Sequence, residues 1–249
     1  MSDHCLDSEL GAIARNGAAS TDSGENRLIA ALPVVHRQRF SSHIDHVQLT
    51  AGQILAQPDE PIRFVYFPQG ALASLLVTMQ DGSAIEGAAI GNQGTTGMPI
   101  FLADGIATEE ITVQIPGAAA RISANIFRTL VGESAPLRAS LQRYALALMN
   151  HLARTAGCNR LHSVRQRCAR WLLTASDLVN AQGYPLTHEA LANLLGVRRA
   201  SVTEAAETLK QDGLIDYHRG WINILDADAL EGAACEDYKL IKTGYDHIR

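Results

Sequence analysis

A chain of 249 residues is long enough for one large or two modest domains with a real core. Its 47% apolar and 19% charged content is that of a soluble globular protein and excludes a disordered or fibrous one. The net charge of −5 argues weakly against a nucleic-acid partner, but the charge is segregated: residues 137–171 hold seven Arg and no acid, between two acidic flanks.

Residues 1–26 are rich in Ser, Gly, Ala, Asp and Asn without periodicity and are expected to form a mobile tail. The start, MSDHCLDSEL, is acidic rather than basic-then-apolar, so no secretory signal is expected. No apolar run approaches the roughly 20 residues that span a bilayer. Cys5, Cys158, Cys168 and Cys235 are few and far apart, which suits a reducing cytoplasm rather than a disulfide framework.

Leu28, Ile29, Leu32, Val35 and Phe40 recur at roughly helical intervals broken by Pro33, predicting short helices that feed a strand. From His46 to Ile122 the pattern changes to short runs rich in Val, Ile, Leu, Phe and Tyr, punctuated by Gly- and Pro-containing turns. Such spacing predicts an antiparallel sandwich or barrel. Asp81-Gly82 between two apolar runs is read as a tight primed hairpin turn.

Residues 134–161 predict one long helix, with Ser134 as N-cap and Pro136 in the first turn. Leu137, Leu141, Tyr144, Leu148, His151, Thr155 and Cys158 alternate at steps of four and three, the seam of a coiled coil, and Leu152 widens it. Such a stripe could pair two chains or pack on its own domain. Ser163 and Gln166 form a capping-box pattern, so a new helix starts there and 161–163 become a hinge.

Residues Leu186 to Leu225 read as helix, tight turn, helix and hairpin. Thr187 caps the first helix, Gly196 stops it, and Val202, Ala205, Ala206 and Leu209 face inward from the second. Ala192, Gly196 and Val202 are spaced so that two short helices cross closely, as in a helix-turn-helix. Arg198, Arg199, Ser201, Thr203 and Glu204 cluster away from that face at the end that enters a major groove. Thr187 and His188 begin the preceding helix beside them. Arg219-Gly220 turns a hairpin that would lie as a wing along the phosphate backbone. Arg219, with Arg165 and Arg167 near the hinge, is a candidate phosphate contact.

The stretch 187–225 resembles the C-terminal domain of the Crp/Fnr superfamily of bacterial transcription regulators. Gly52-Gln53-Ile54-Leu55, Val65-Tyr66-Phe67-Pro68 before Gly70, Asp81-Gly82, and Gly91 before Gly94 and Gly97 are similar to that family's cyclic-nucleotide-binding-like jelly roll. The resemblance covers about residues 27–230. It implies an α+β chain: a jelly roll over 27–133, a dimerisation helix over 134–161 and a winged helix-turn-helix over 162–249. It also implies a homodimer on an imperfect palindrome of double-stranded DNA, with RNA polymerase as a further partner. On that reading Leu137, Leu141, Tyr144, Leu148, His151, Leu152 and Thr155 form the dimer interface.

The resemblance departs at two places. Family members that bind a cyclic nucleotide place a Glu after a Gly and an Arg about ten residues on. Here Met98 follows Gly97, Ala107 stands near the Arg position, and Thr108 precedes Glu109 and Glu110. A phosphodiester would meet two carboxylates and no Arg, so no cyclic AMP binding is expected, and the pocket at Gly97, Met98 and Thr108 is empty or suited to an apolar effector. In the recognition helix, Arg199 matches the family's first Arg, but Ala200 replaces its Glu and Glu204 falls at its second Arg.

No catalytic constellation, phosphate-cradling loop or HExxH is present, so no enzyme and no cofactor are expected. An iron–sulfur cluster wants about four thiolates, and only Cys5 lies in the N-terminal region. Cys158 and His162, four apart at the hinge with Cys168 further on, could form a metal or redox site, although a buried Cys is usually a small apolar residue. The reading is therefore no metal. The alternative function is a small-molecule or redox/metal sensor acting through protein contacts, its DNA binding weakened by Ala200 and Glu204.

Overall fold

Two short helices open the computed structural model, which describes residues 24–248. The N-terminal tail and Cys5 fall outside the described residues, apart from 24–26. Helix α1 (Arg27–Ala30) is capped by the buried Asn26, whose amide donates to the Pro68 and Gly94 carbonyls. Helix α2 (Val34–Ser41) starts after Pro33, which cannot continue α1.

The strand-rich region forms an antiparallel sandwich. One sheet has the order β1-β7-β3, from β1 (Asp45–Leu49), β3 (Phe64–Pro68) and β7 (Gly117–Ser123). The other has the order β2-β6-β4-β5, from β2 (Ile54–Ala56), β4 (Leu72–Thr78), β5 (Ala84–Ile90) and β6 (Glu110–Ile115). Helix α3 (Met98–Leu102) fills the link between β5 and β6. The Asp81-Gly82 turn is not of the primed type. Only Gly82 has positive φ, at 82°, in a longer loop where Asp81 accepts from the Ser83 backbone and hydroxyl.

Helix α4 (Ala124–Glu133), capped by Ser123, leads into the long helix α5 (Ala135–Leu161). Ser134 accepts from the Leu137 N–H, and Ser163 and Gln166 complete the capping box of α6 (Val164–Val179). Beyond the hinge come β8 (Gly183–Pro185), α7 (His188–Leu195), α8 (Arg199–Gln211), β9 (Ile215–His218) and β10 (Trp221–Ile224). The three strands form one sheet, β8-β10-β9. Two helices follow, α9 (Ala227–Ala233) and α10 (Asp237–Asp246).

Helix α10 changes the reading of α5. Tyr238, Ile241, Tyr245 and Ile248 recur at steps of three and four, and all are buried. Ile241, Tyr245 and Ile248 join the jelly-roll core with Leu137, Leu141, Tyr144 and Leu148 of α5. His151 Nδ1 lies 3.1 Å from the Tyr245 hydroxyl, and Thr155 is buried as well. Leu152 packs on β5, its Cδ2 within 3.0 Å of where a Cβ on Gly87 would sit. The seam read as the dimer interface is thus spent inside the protomer, because the jelly roll and α10 both cover it. The exposed face of α5 instead carries Leu146, at 69% exposure, and Met149, at 67%.

The fold is α+β: a jelly roll, a long helix and a winged helix-turn-helix. The second core includes Leu72, Ala89 and Ile115 of the sandwich beside Trp171, Leu191 and Leu209 of the winged helix, so the two parts pack directly.

Candidate nucleic-acid interface

Thr187 caps α7 by accepting from the Ala190 N–H at 3.1 Å. The helix ends in a glycine-terminated cap: Gly196 sits at φ 61°, ψ 41°, with the Val197 N–H on the Ala192 carbonyl and the Gly196 N–H on Asn193. A glycine adopts this left-handed bend without strain, and a Cβ there would lie 2.7 Å from Ile85 Cδ1. Val202, Ala205, Ala206 and Leu209 of α8 are buried beneath α6 and α7, as the spacing predicts.

Burial of that face leaves the N-terminal end of α8 outward. Arg198, Arg199, Ala200 and Glu204 are exposed, and Ser201 is half-buried. Arg199 Nε lies 3.8 Å from Glu189 Oε2, a surface pair that a phosphate or guanine can displace. Thr203 and His188 have a different place: His188 Nδ1 contacts the Thr203 hydroxyl at 3.0 Å, and its ring stacks on Tyr217 with centroids 4.1 Å apart. Burial, helped by Arg199, holds the His188 imidazole below its ordinary pKa. These two side chains brace α7 against α8 and the wing.

The wing hairpin pairs Trp221 with His218, Ile222 with Tyr217 and Asn223 with Asp216. Arg219 and Gly220 both have positive φ, at 48° and 78°, the backbone of a type I′ turn. Arg219 is exposed at its tip.

The hinge arginines separate. Arg165 pairs with Asp212 at 2.6 Å and stays partly exposed. Arg167 is 5% exposed and donates to the Leu195 carbonyl and, at 2.8 Å, to Asn159 Oδ1. It is a strut under the end of α7, not a phosphate contact. Of the rest of the basic band read from the sequence, Arg170 is also buried and Arg138 caps the Val131 and Gly132 carbonyls, while Arg143, Arg154 and Arg160 stay exposed.

In the jelly roll, Gly97, Met98 and Ala107 are buried, and Met98, Ile100 and Ala107 belong to the main apolar core. A Cβ on Gly97 would lie 2.8 Å from Val65 and 2.9 Å from Phe127. Thr108 is exposed, and burial raises the Glu109 carboxyl pKa. No Lys or Arg occurs between 97 and 110. Cys168 is buried within α6, its thiol pushed up to about 12 by desolvation.

Residues 166–233 match the family model of the Crp-like helix-turn-helix domain. No curated protein sequence matches the chain. Among solved structures, a Crp/Fnr-family transcriptional regulator from Eubacterium rectale is similar at 19% identity and TM-score 0.62, covering 84% of this chain and 99% of that one. FixK2 from Bradyrhizobium japonicum matches at 16% identity and TM-score 0.64, covering 77% and 98%. CLP from Xanthomonas campestris, a c-di-GMP responsive global regulator, matches at 19% identity and TM-score 0.57, covering 77% and 99%. These likenesses establish the fold, and the matched domain identifies its DNA-binding module. Residues 166–233 thus form a Crp-like helix-turn-helix domain, in a chain whose fold is that of these structures.

Proposed function

We propose that the chain is a homodimeric, sequence-specific transcription regulator that works in the cytoplasm without an enzymatic activity. The observation that carries this is the exposed pair Arg198 and Arg199, beside the half-buried Ser201, at the start of α8 on a matched helix-turn-helix, with Arg219 at the tip of a type I′ wing. Arg199 can grip a guanine edge in bidentate fashion, while Arg198 and Arg219 serve the backbone. Two copies joined along the Leu146–Met149 face of α5 would set two recognition helices roughly 34 Å apart, so the operator is an imperfect palindrome. RNA polymerase is the further partner such a regulator would engage.

The same reading holds that cyclic AMP is not the effector. Met98 and Ala107 fill the place with apolar side chains, and Glu109 and Glu110 would repel a phosphodiester.

Selection from a pool of randomised duplexes tests the first claim. A palindrome should be enriched, with binding that weakens steeply between two salt concentrations. Recovery of no consensus, with salt-independent binding, would overturn it. Isothermal titration with cyclic AMP and cyclic GMP should give no binding heat; micromolar binding of either refutes the second claim.

A further inference from the structure

Four side chains that the DNA-binding reading leaves unused meet where the long helix ends. Cys158 and His162 are one turn apart at the close of α5, Cys235 lies in the link between α9 and α10, and Asp237 opens α10. Their ligating atoms all lie within 4.8 Å of one another. Cys158 Sγ and Cys235 Sγ are 3.5 Å apart, Cys235 Sγ and Asp237 Oδ2 3.9 Å, and His162 Nδ1 and Asp237 Oδ2 3.4 Å. A tetrahedral cation with bonds of 2.0–2.3 Å spaces its ligands by about 3.3–3.8 Å, so the three separations are close to those of such a shell.

The surroundings suit a cation. Cys158, Cys235 and Asp237 are buried, and His162 Nδ1 is buried with no hydrogen-bond partner among the described residues. That nitrogen is where a ligand's lone pair is required. Two thiolates, one carboxylate and a neutral imidazole carry three negative charges, which a divalent cation reduces to one. Arg154, 3.6 Å from Asp237, and the buried Arg170 near Cys158 offset that remainder. Cys168, which the sequence grouped with this pair, stands apart from it; Cys235 and Asp237 take its place.

We propose that Cys158, His162, Cys235 and Asp237 form a closed tetrahedral site for a thiophilic divalent cation of the zinc class. Soft thiolates with one imidazole favour zinc over magnesium or calcium, and four protein ligands leave no open position for catalysis. Binding displaces the two thiol protons to solvent and forms two metal–sulfur bonds, with no change of oxidation state. The cation would tie the end of α5, the hinge residue His162 and the α9–α10 link into one unit, fixing the angle at which the winged helix leaves the long helix.

The test uses the full chain, reduced and stripped with chelator, then titrated with cobalt(II). One equivalent per chain should give thiolate-to-cobalt charge-transfer absorption and ligand-field bands of tetrahedral intensity. Zinc should displace the cobalt and raise the melting temperature. Cys235→Ser and Asp237→Asn should each weaken binding by more than roughly tenfold, whereas Cys168→Ser should leave it unchanged. Either of two spectral results would overturn the site: no tetrahedral cobalt spectrum from the reduced wild-type chain, or an unchanged spectrum in both ligand variants. A Cys158–Cys235 disulfide that persists under reducing conditions would do the same.

Discussion

The indole Nε1 of Trp171 on α6 donates to Oε1 of Glu86 on β5 across 2.9 Å, and both side chains are buried. The Ser74 hydroxyl donates to the other carboxyl oxygen. The contact pins the winged helix to the jelly roll. Burial raises the Glu86 pKa against the opposing pull of Ser74, Arg170 and Trp171. A raised carboxyl pKa means the folded state holds a proton the unfolded state has released. Stability therefore falls as pH climbs from the ordinary carboxylate value through the raised one. Glu86→Gln removes the titration and keeps an acceptor for Trp171, with the Ser74 hydroxyl turning to accept from the new amide N–H. Its melting temperature should match wild type near pH 4 and exceed it at pH 8, as calorimetry across that range would show.

Arg199→Ala should cost roughly 1–3 kcal/mol of binding to the selected operator and relax the preference at one base pair. Arg219→Ala should weaken all duplexes alike and lower the salt slope by about one. Fluorescence anisotropy at several salt concentrations separates the two. Equal affinity of Arg199→Ala and wild type for the operator defeats the assignment.

Arg167→Ala should behave differently from either. It leaves the buried Leu195 carbonyl without its donor, a loss of about 1–3 kcal/mol that appears in urea unfolding. Operator affinity measured on the folded fraction should change little.

The exposed Leu146 and Met149 predict a split between assembly and stability. Leu146→Glu with Met149→Glu should yield a folded monomer in sedimentation, with operator affinity sharply reduced. Leu141→Ala, inside the protomer, should instead cost about 2–5 kcal/mol of stability. A dimer that survives the double Glu variant places the interface elsewhere.

His151 is buried beside Tyr245, and desolvation, with Arg170 nearby, pushes its pKa down to about 3. The unfolded chain takes up that proton near its ordinary value of 6.5 while the folded chain does not. Stability should thus fall as pH drops from about 6.5 towards 3, by up to about 1.4 kcal/mol per pH unit for one proton. His151→Asn should flatten this limb in urea midpoints measured between pH 4 and 8.

Local signals carried much of the architecture. Thr187, Gly196 and Val202 specify the helix-turn-helix because cap, turn and core spacing are all short-range, and Ser134 and Ser163 mark helix starts for the same reason. The failures were tertiary. The α5 seam repeats every seven residues whether its cover is a second copy or α10, and periodicity cannot tell the two apart. Ser123 with Phe127 and Leu130 carries the local signal of α4, and Tyr238, Ile241 and Tyr245 that of α10. The Cys158 cluster was half legible: its i, i+4 pair is local, whereas Cys235 reaches it across 77 residues. Arg167 shows the limit for charge, since its type suggests phosphate and only burial reveals a strut.

Ile241, Tyr245 and Ile248 complete the apolar centre that Leu28 and Ile29 begin. A ribosome must translate through the whole winged helix before the jelly roll receives those side chains. The sandwich emerging first is therefore left with an uncovered greasy flank during synthesis, and contacts of such long sequence separation close slowly. Nascent chains halted before residue 241 should depend on chaperones in a way that released chains do not.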